Sequence, residues 1–357
     1  MKTSMFIIPM DDNHPLILPS YFDYPDYIVP TEYCMPNIED EQWELYNAKP
    51  LDCYDNMISI LGFDPPPEIV ATFFFFSKLS PHAISHIFFL SGYLPIEILF
   101  SFFSSPITEF MGFVNALQCL LNRIALPPER EFLVPIISNL ASAMQLNGYF
   151  PKNNELGAFY IILLSIYISS DTISGKYISL ESFTDIANQV SIYPPIEVEF
   201  IQYIHKTFVN YPLTLRFSFA DPRFPPSSNQ NGILSMKTGV MRMQKKWFFY
   251  IKDNTLQYSH VDQVFIPIGG VELSDINVSI PAQTENDPLS MSLTSHLDNP
   301  FIFEFVKGSK IMTDRKSFVI FAPNNVALEY WRSSIMNLRF QKSLKQLFTI
   351  RDIENCI

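Results

Sequence analysis

The sequence predicts two domains of different class: an all-α domain, then a small antiparallel β-barrel or sandwich capped by a C-terminal helix. Three observations carry this. Over residues 41–213, apolar runs of helical length alternate with proline-bearing breaks, among them Pro65-Pro66-Pro67, Pro81, Pro127-Pro128 and Pro194-Pro195. Over residues 231–321 the texture shifts to short aromatic and β-branched runs separated by turn residues such as Asp253-Asn254. Between them, DPRFPPSSNQN at residues 221–231 has the composition of a connection that cannot build a core.

Taken in order, residues 1–40 are rich in Pro, Tyr and acid and keep no period of 3.6 or 2, which predicts a flexible arm. Residues 41–213 form the helical domain. Its most apolar stretch, residues 158–168, is shorter than the about 20 residues needed to cross a bilayer. Residues 84–103 are longer but contain His86, Pro95 and Glu97, so both stretches are expected to be core helices. Residues 214–230 are expected to be a linker. The β-domain, 231–343, should place strands at Gly232-Ile233-Leu234, Trp247 through Ile251, Thr255 through Tyr258, Gly270 through Leu273, Phe301 through Phe305 and Ser317 through Phe321. Val326, Leu328, Trp331, Ile335 and Leu338 then recur at helical spacing, which predicts an amphipathic helix packed on those strands. Residues 344–357 are left as a tail.

Composition narrows the function classes. The chain of 357 residues is 48% hydrophobic and only 17% charged, which excludes wholesale disorder. Its 33 phenylalanines exceed what one small helical core can bury, and either a partner-binding groove or a codon-biased genome accounts for them. A net charge of −12 opposes nucleic-acid binding. The acid lies early, for example Asp11, Asp12, Glu39, Asp40 and Glu41, whereas the region after Asn231 is slightly basic, which suits a back half that meets an anionic surface. Cys34, Cys53, Cys119 and Cys356 are scattered without metal-ligand or disulfide spacing, so no metal or cofactor is expected and a reducing, cytoplasmic location is. Phosphate-loop, zinc-protease, hydrolase and dinucleotide motifs are missing, which argues against an enzyme with covalent chemistry.

The C-terminal part resembles a pleckstrin-homology domain, from Gly232-Ile233-Leu234 through Lys245-Lys246-Trp247-Phe248-Phe249-Tyr250 to a Trp in the last helix. The resemblance implies that Trp331 plugs the barrel and that Lys237, Arg242, Lys245 and Lys246 cradle an anionic or phosphoinositide headgroup. Lys246 stands where the family's strongest lipid binders carry arginine, and a lysine cannot bind phosphate bidentately. The helical part resembles the Sec-seven, or Arf-exchange, domain, and the domain order is that of cytohesin-type exchange factors. The tightest stretch is Ala116-Leu117-Gln118-Cys119-Leu120-Leu121 running into Leu126-Pro127-Pro128-Glu129, similar to A-L-R-x-F-L…L-P-G-E. Tyr46-Asn47-Ala48-Lys49-Pro50, Glu68 through Phe73 and Phe200 through Ile204 follow the family's other segments in order.

This resemblance implies an Arf-family small GTPase as partner, a role in vesicle traffic, and Glu129 as the finger that displaces Mg²⁺ and phosphate from bound nucleotide. The family's N-T-D-L-H-N motif aligns with Ser169-Ser170-Asp171-Thr172-Ile173-Ser174, which puts Ser169 in place of Asn and keeps Asp171 as candidate site residues. Pro128 replaces a glycine and Val134-Pro135 a charged pair; a proline inside the next helix is expected to cost a hydrogen bond and kink it. Two classes stay open: an exchange factor working through Glu129, and an exchange-inactive adaptor that keeps both folds and binds a GTPase or membrane.

Overall fold

The computed structural model describes residues 38–62, 65–90, 96–104, 112–150, 155–188, 198–220, 223–238, 243–252, 255–272, 276–279, 300–305 and 317–349. Nearly all of the arm expected over 1–40 lies outside them, as do Arg242, the Lys237 side chain and residues 350–357. The chain forms two compact units: Met1–Ser170, Ile178–Ser218 and Gln346–Ile357 make the first, Asp171–Tyr177 and Phe219–Lys345 the second.

The first unit is built from helices. In order they are α1 Asp40–Ala48, α2 Pro50–Asp55, α3 Met57–Leu61, α4 Pro67–Phe76, α5 Pro81–Leu90, α6 Ile96–Phe103, α7 Phe113–Leu121, α8 Arg130–Leu146, α9 Glu155–Ile173, α10 Leu180–Asn188 and α11 Val198–Asn210. Several punctuating prolines turn out to be first helical residues: Pro50, Pro67 and Pro81 open α2, α4 and α5, where a missing N–H costs nothing. Gly62, at φ 78°, ends α3 in the left-handed conformation that disfavours a Cβ. The core is aromatic. Phe75 and Phe88 each meet Phe102 edge-on at 5.3 Å, the geometry that sets a ring's positive edge against a negative face. The α9 helix runs 19 residues, longer than the apolar stretch that announced it, and is long and apolar enough to cross a membrane, yet it is mostly buried in the protein.

Two short strands, β1 Ala125–Leu126 and β2 Arg216–Phe217, pair in parallel. The expected linker at 214–230 is therefore built in. Leu213, Leu215, Phe217 and Phe219 alternate and are all buried, a period-2 signal hidden between a helix and a polar run. Further on, Ser228 N–H donates to Ser174 O at 3.0 Å and Ser227 N–H to Ser334 Oγ at 3.0 Å.

The second unit carries β3 Asn231–Thr238, β4 Met243–Lys252, β5 Thr255–Ser259, β6 Gly269–Glu272, β7 Ile276–Ser279, β8 Pro300–Phe305, β9 Ser317–Phe321 and α12 Asn325–Thr349. The strands form one antiparallel sheet in the order β6-β5-β4-β3-β9-β8-β7. Among the described residues β6 and β7 remain the two edges, so the sheet is open where a closed barrel or sandwich was expected. Trp331, 2% exposed, lies in this unit's core with Leu234, Phe249, Ile251, Leu256 and Ile335. The last helix reaches Thr349 instead of stopping before residue 344, because Phe340, Leu344, Leu347 and Phe348 extend its buried stripe.

Candidate functional site

The loop before α8 is stiff by sequence. Proline fixes its own φ and forces the residue before it to be extended, so Leu126, Pro127 and Pro128 have little freedom. Both prolines are buried. Glu129 follows, half-buried, as the N-cap of α8 with φ −83° and ψ 132°. Its carbonyl accepts from Phe132 N–H at 3.3 Å and Leu133 N–H at 3.2 Å, while its carboxylate does not cap the helix. The N-cap position puts this acid at the positive end of the helix macrodipole.

A strap holds the loop from below. Leu126 pairs with Phe217, and Leu126 O accepts from Ser218 N–H at 3.0 Å. Upstream, Thr214 N–H donates to Gln118 Oε1 at 2.7 Å, and Gln118 Nε2 donates to Asn122 Oδ1 at 2.8 Å. Leu213 N–H donates to Ser169 Oγ at 3.1 Å. Residues 213–218 thus connect α9, α7 and β1, and the Glu129 loop leaves from the last of these. Beside it, buried Arg123 donates from Nη2 to Phe74 O at 3.1 Å and Ser77 O at 3.0 Å, which satisfies orphan carbonyls at the end of α4.

The residues singled out in the sequence fall in different settings. Ser169 is fully buried, and its hydroxyl serves the strap. Asp171, 4% exposed, is in the last turn of α9, where its carbonyl accepts from Ser174 Oγ at 3.0 Å and Lys176 N–H at 2.9 Å. Lys176 donates to Gln341 Oε1 at 2.9 Å; burial pulls its pKa down, with Asp171 opposing that shift and Lys345 adding to it. Pro135 lies inside α8, which continues to Leu146 in spite of it. The carbonyl that a residue-135 N–H would have met belongs to exposed Glu131, where water can replace the missing donor.

In the sheet unit, Lys245 pairs across from Met236 and Lys246 from Ser235, so the two exposed lysines face opposite sides of the sheet. They do not form one cradle. Among the described residues no cluster of His, Cys, Asp and Glu could hold a metal ion. Gln118, Arg123 and the strap were missed by sequence reasoning; a buried polar residue in the apolar run of α7 was the available signal for Gln118.

No family model matches this chain, and no curated protein matches it. Solved structures similar to it include Sec7 domains. The Sec7p catalytic domain is 19% identical over 49% of this chain and 99% of its own, with a TM-score of 0.43. RalF is 14% identical over 89% of this chain and 98% of its own, at 0.42. A chimera of the Legionella pneumophila RalF Sec7 domain with the Rickettsia prowazekii RalF capping domain is 15% identical over 85% of this chain and 88% of its own, at 0.41.

Proposed function

We propose that this chain is a guanine-nucleotide exchange factor for an Arf-family small GTPase, acting without covalent chemistry from the cytoplasm. The observation that carries the reading is the fixed presentation of Glu129: a half-exposed acid behind two buried prolines, on a loop clamped by the β1–β2 pair. A carboxylate held this way resists being pushed aside as it approaches a bound nucleotide. Near the β-phosphate it repels the phosphate and competes for Mg²⁺. Like charges about 4 Å apart repel by about 4 kcal/mol at an effective dielectric of about 20. That corresponds to roughly a thousandfold in nucleotide affinity.

The sheet unit, in this reading, is pleckstrin-homology-like and recruits the protein to an anionic or phosphoinositide membrane in vesicle traffic. Its meander order and C-terminal helix support that assignment. In this reading Lys237, Arg242, Lys245 and Lys246 supply the positive charge that attracts the unit to such a membrane.

A second reading, the exchange-inactive adaptor, is favoured by Ser169: a buried hydroxyl already committed to Leu213 N–H is poorly placed to help a partner's nucleotide leave. The two are separated by fluorescent-nucleotide release from a panel of purified Arf-family GTPases. Accelerated release from any member supports exchange; GTPase binding without acceleration on any member gives the adaptor.

A further inference from the structure

We infer that the β5–β6 connection, residues 261–268, is a membrane-inserting element that seats the sheet unit on an anionic lipid bilayer. This rests on the membrane-recruitment reading and names the surface that performs it. Loop residues are ordinarily polar turn formers. Here Val261, Val264, Phe265, Ile266 and Ile268 are 44%, 45%, 60%, 62% and 47% exposed. Single exposed apolar residues need no explanation, but a contiguous set on one connection marks an interaction site.

The tip is held in place. Phe265 is the one non-glycine residue at positive φ, 64°, among the described residues, a conformation that persists only where the surroundings fix it. Its ring meets Phe248 edge-on at 5.2 Å and Tyr250 at 5.0 Å. Ile268 N–H donates to Tyr258 O at 2.9 Å, which ties the far end of the loop back to β5.

Charge identifies the occupant. Strand alternation places Lys246, Phe248, Tyr250 and Lys252 on one face of β4, opposite the core residues Phe249 and Ile251. The aromatic pair is thus flanked at both ends by exposed lysines, and Ile233 lies across from Phe248. The charged residues of this β4 face and the loop are Lys246, Lys252 and Asp262, a positive excess in a chain of net charge −12. An apolar tip with a lysine rim matches a bilayer whose headgroups are negative and whose boundary accepts aromatic and aliphatic side chains. A two-fold dimer through the same patch would set lysines against lysines.

The test uses the full chain with phosphatidylcholine vesicles, with and without phosphatidylserine. Wild type should partition to the mixed vesicles, and Ile266→Asp and Val264→Asp should weaken partitioning about tenfold or more, the loss expected for one apolar side chain left unburied. An Ile266→Trp variant should gain fluorescence that brominated lipid quenches, beyond any quenching of the native tryptophans. Thermal melts of the variants should match wild type, since the changed side chains face solvent. Wild-type binding that both Asp variants retain, without extra quenching at position 266, overturns the loop assignment and leaves membrane recruitment standing. No wild-type binding at low salt overturns recruitment and the loop together. A wild-type dimer that Ile266→Asp dissociates also overturns the proposal, because the patch would then be a self-association face.

Discussion

The two units direct the same aromatic excess in opposite ways. In the helical unit Phe73, Phe74, Phe102 and Phe103 are all 1% exposed or less, and Phe102 meets Phe75 and Phe88 of neighbouring helices edge to face. In the sheet unit Phe249 is equally hidden, but Phe265 stands 60% exposed beside a run of aliphatic neighbours. The candidate function of each unit follows from what it leaves outside. The helical unit leaves none of its described phenylalanines exposed and presents a charge on a stiff loop, whereas the sheet unit encloses a small core and presents an apolar loop beside exposed lysines.

The largest effects should come from emptying either core. Phe102→Ala and Trp331→Ala should each cost about 3–5 kcal/mol, the usual range for a large buried aromatic. A two-unit chain need not unfold in one step, so hydrogen exchange resolved by segment is the appropriate measurement. Phe102→Ala should accelerate exchange in α4 and α6, and Trp331→Ala in β3, β4 and α12. Uniform acceleration in both units by either variant would show that they open as one.

Arg123→Met should cost about 2–3 kcal/mol, because two buried carbonyls of the α4 terminus lose a charged donor. Denaturant titration of this variant against wild type reads the difference directly. Ser169→Ala should cost less, about 1–2 kcal/mol, by leaving Leu213 N–H without its acceptor. Faster exchange of the Leu213 amide is the specific signature, and unchanged protection there would remove Ser169 from the strap.

The smallest effect is a slope in alkali. Burial pushes the Cys53 thiol from an ordinary 9.0 up to about 12. Between those values the unfolded chain has released the proton that the folded chain keeps, so stability falls as pH rises above 9. Burial, with a smaller contribution from Cys119, likewise raises Tyr149 from 10.0 to about 12, and its loss begins above pH 10. Cys53→Ala should flatten the decline that starts near pH 9 and leave the Tyr149 part; an unaltered slope would place the titration elsewhere.

Periodicity made the elements legible in both units. Leu328, Trp331, Ile335 and Leu338 of α12 and most of the strands stand where helical spacing and alternation put them, while Val326, expected on the same stripe, is 51% exposed. Ile276–Ser279 was invisible because INVS, although it alternates apolar and polar residues, is only four residues long and too short to stand out from its polar surroundings. The strap was hidden for a different reason: four alternating apolar residues at 213–219 run straight into a Pro-Ser-Asn segment whose composition dominates the reading. At the site, the resemblance of Leu126-Pro127-Pro128-Glu129 to a family motif singled out Glu129 but gave no access to burial, and burial is what distinguishes half-exposed Glu129 from Ser169, which the strap consumes. The pleckstrin-homology resemblance put Lys245 and Lys246 in one cradle with Lys237 and Arg242, whereas their cross-strand partners assign these two lysines to opposite faces.

In the proposed exchange reading, Glu129 drives nucleotide release through charge. The direct measurement is fluorescent-nucleotide release from the responding Arf-family GTPase by wild type and Glu129→Lys at matched concentrations, with a parallel binding assay. Reversing the charge replaces repulsion of the β-phosphate by attraction. A single charge at a loop position should barely alter the fold, by less than about 0.5 kcal/mol. The account predicts that release is lost while GTPase binding persists or tightens, since a complex still holding nucleotide accumulates. Equal, substantial release by both proteins would contradict it.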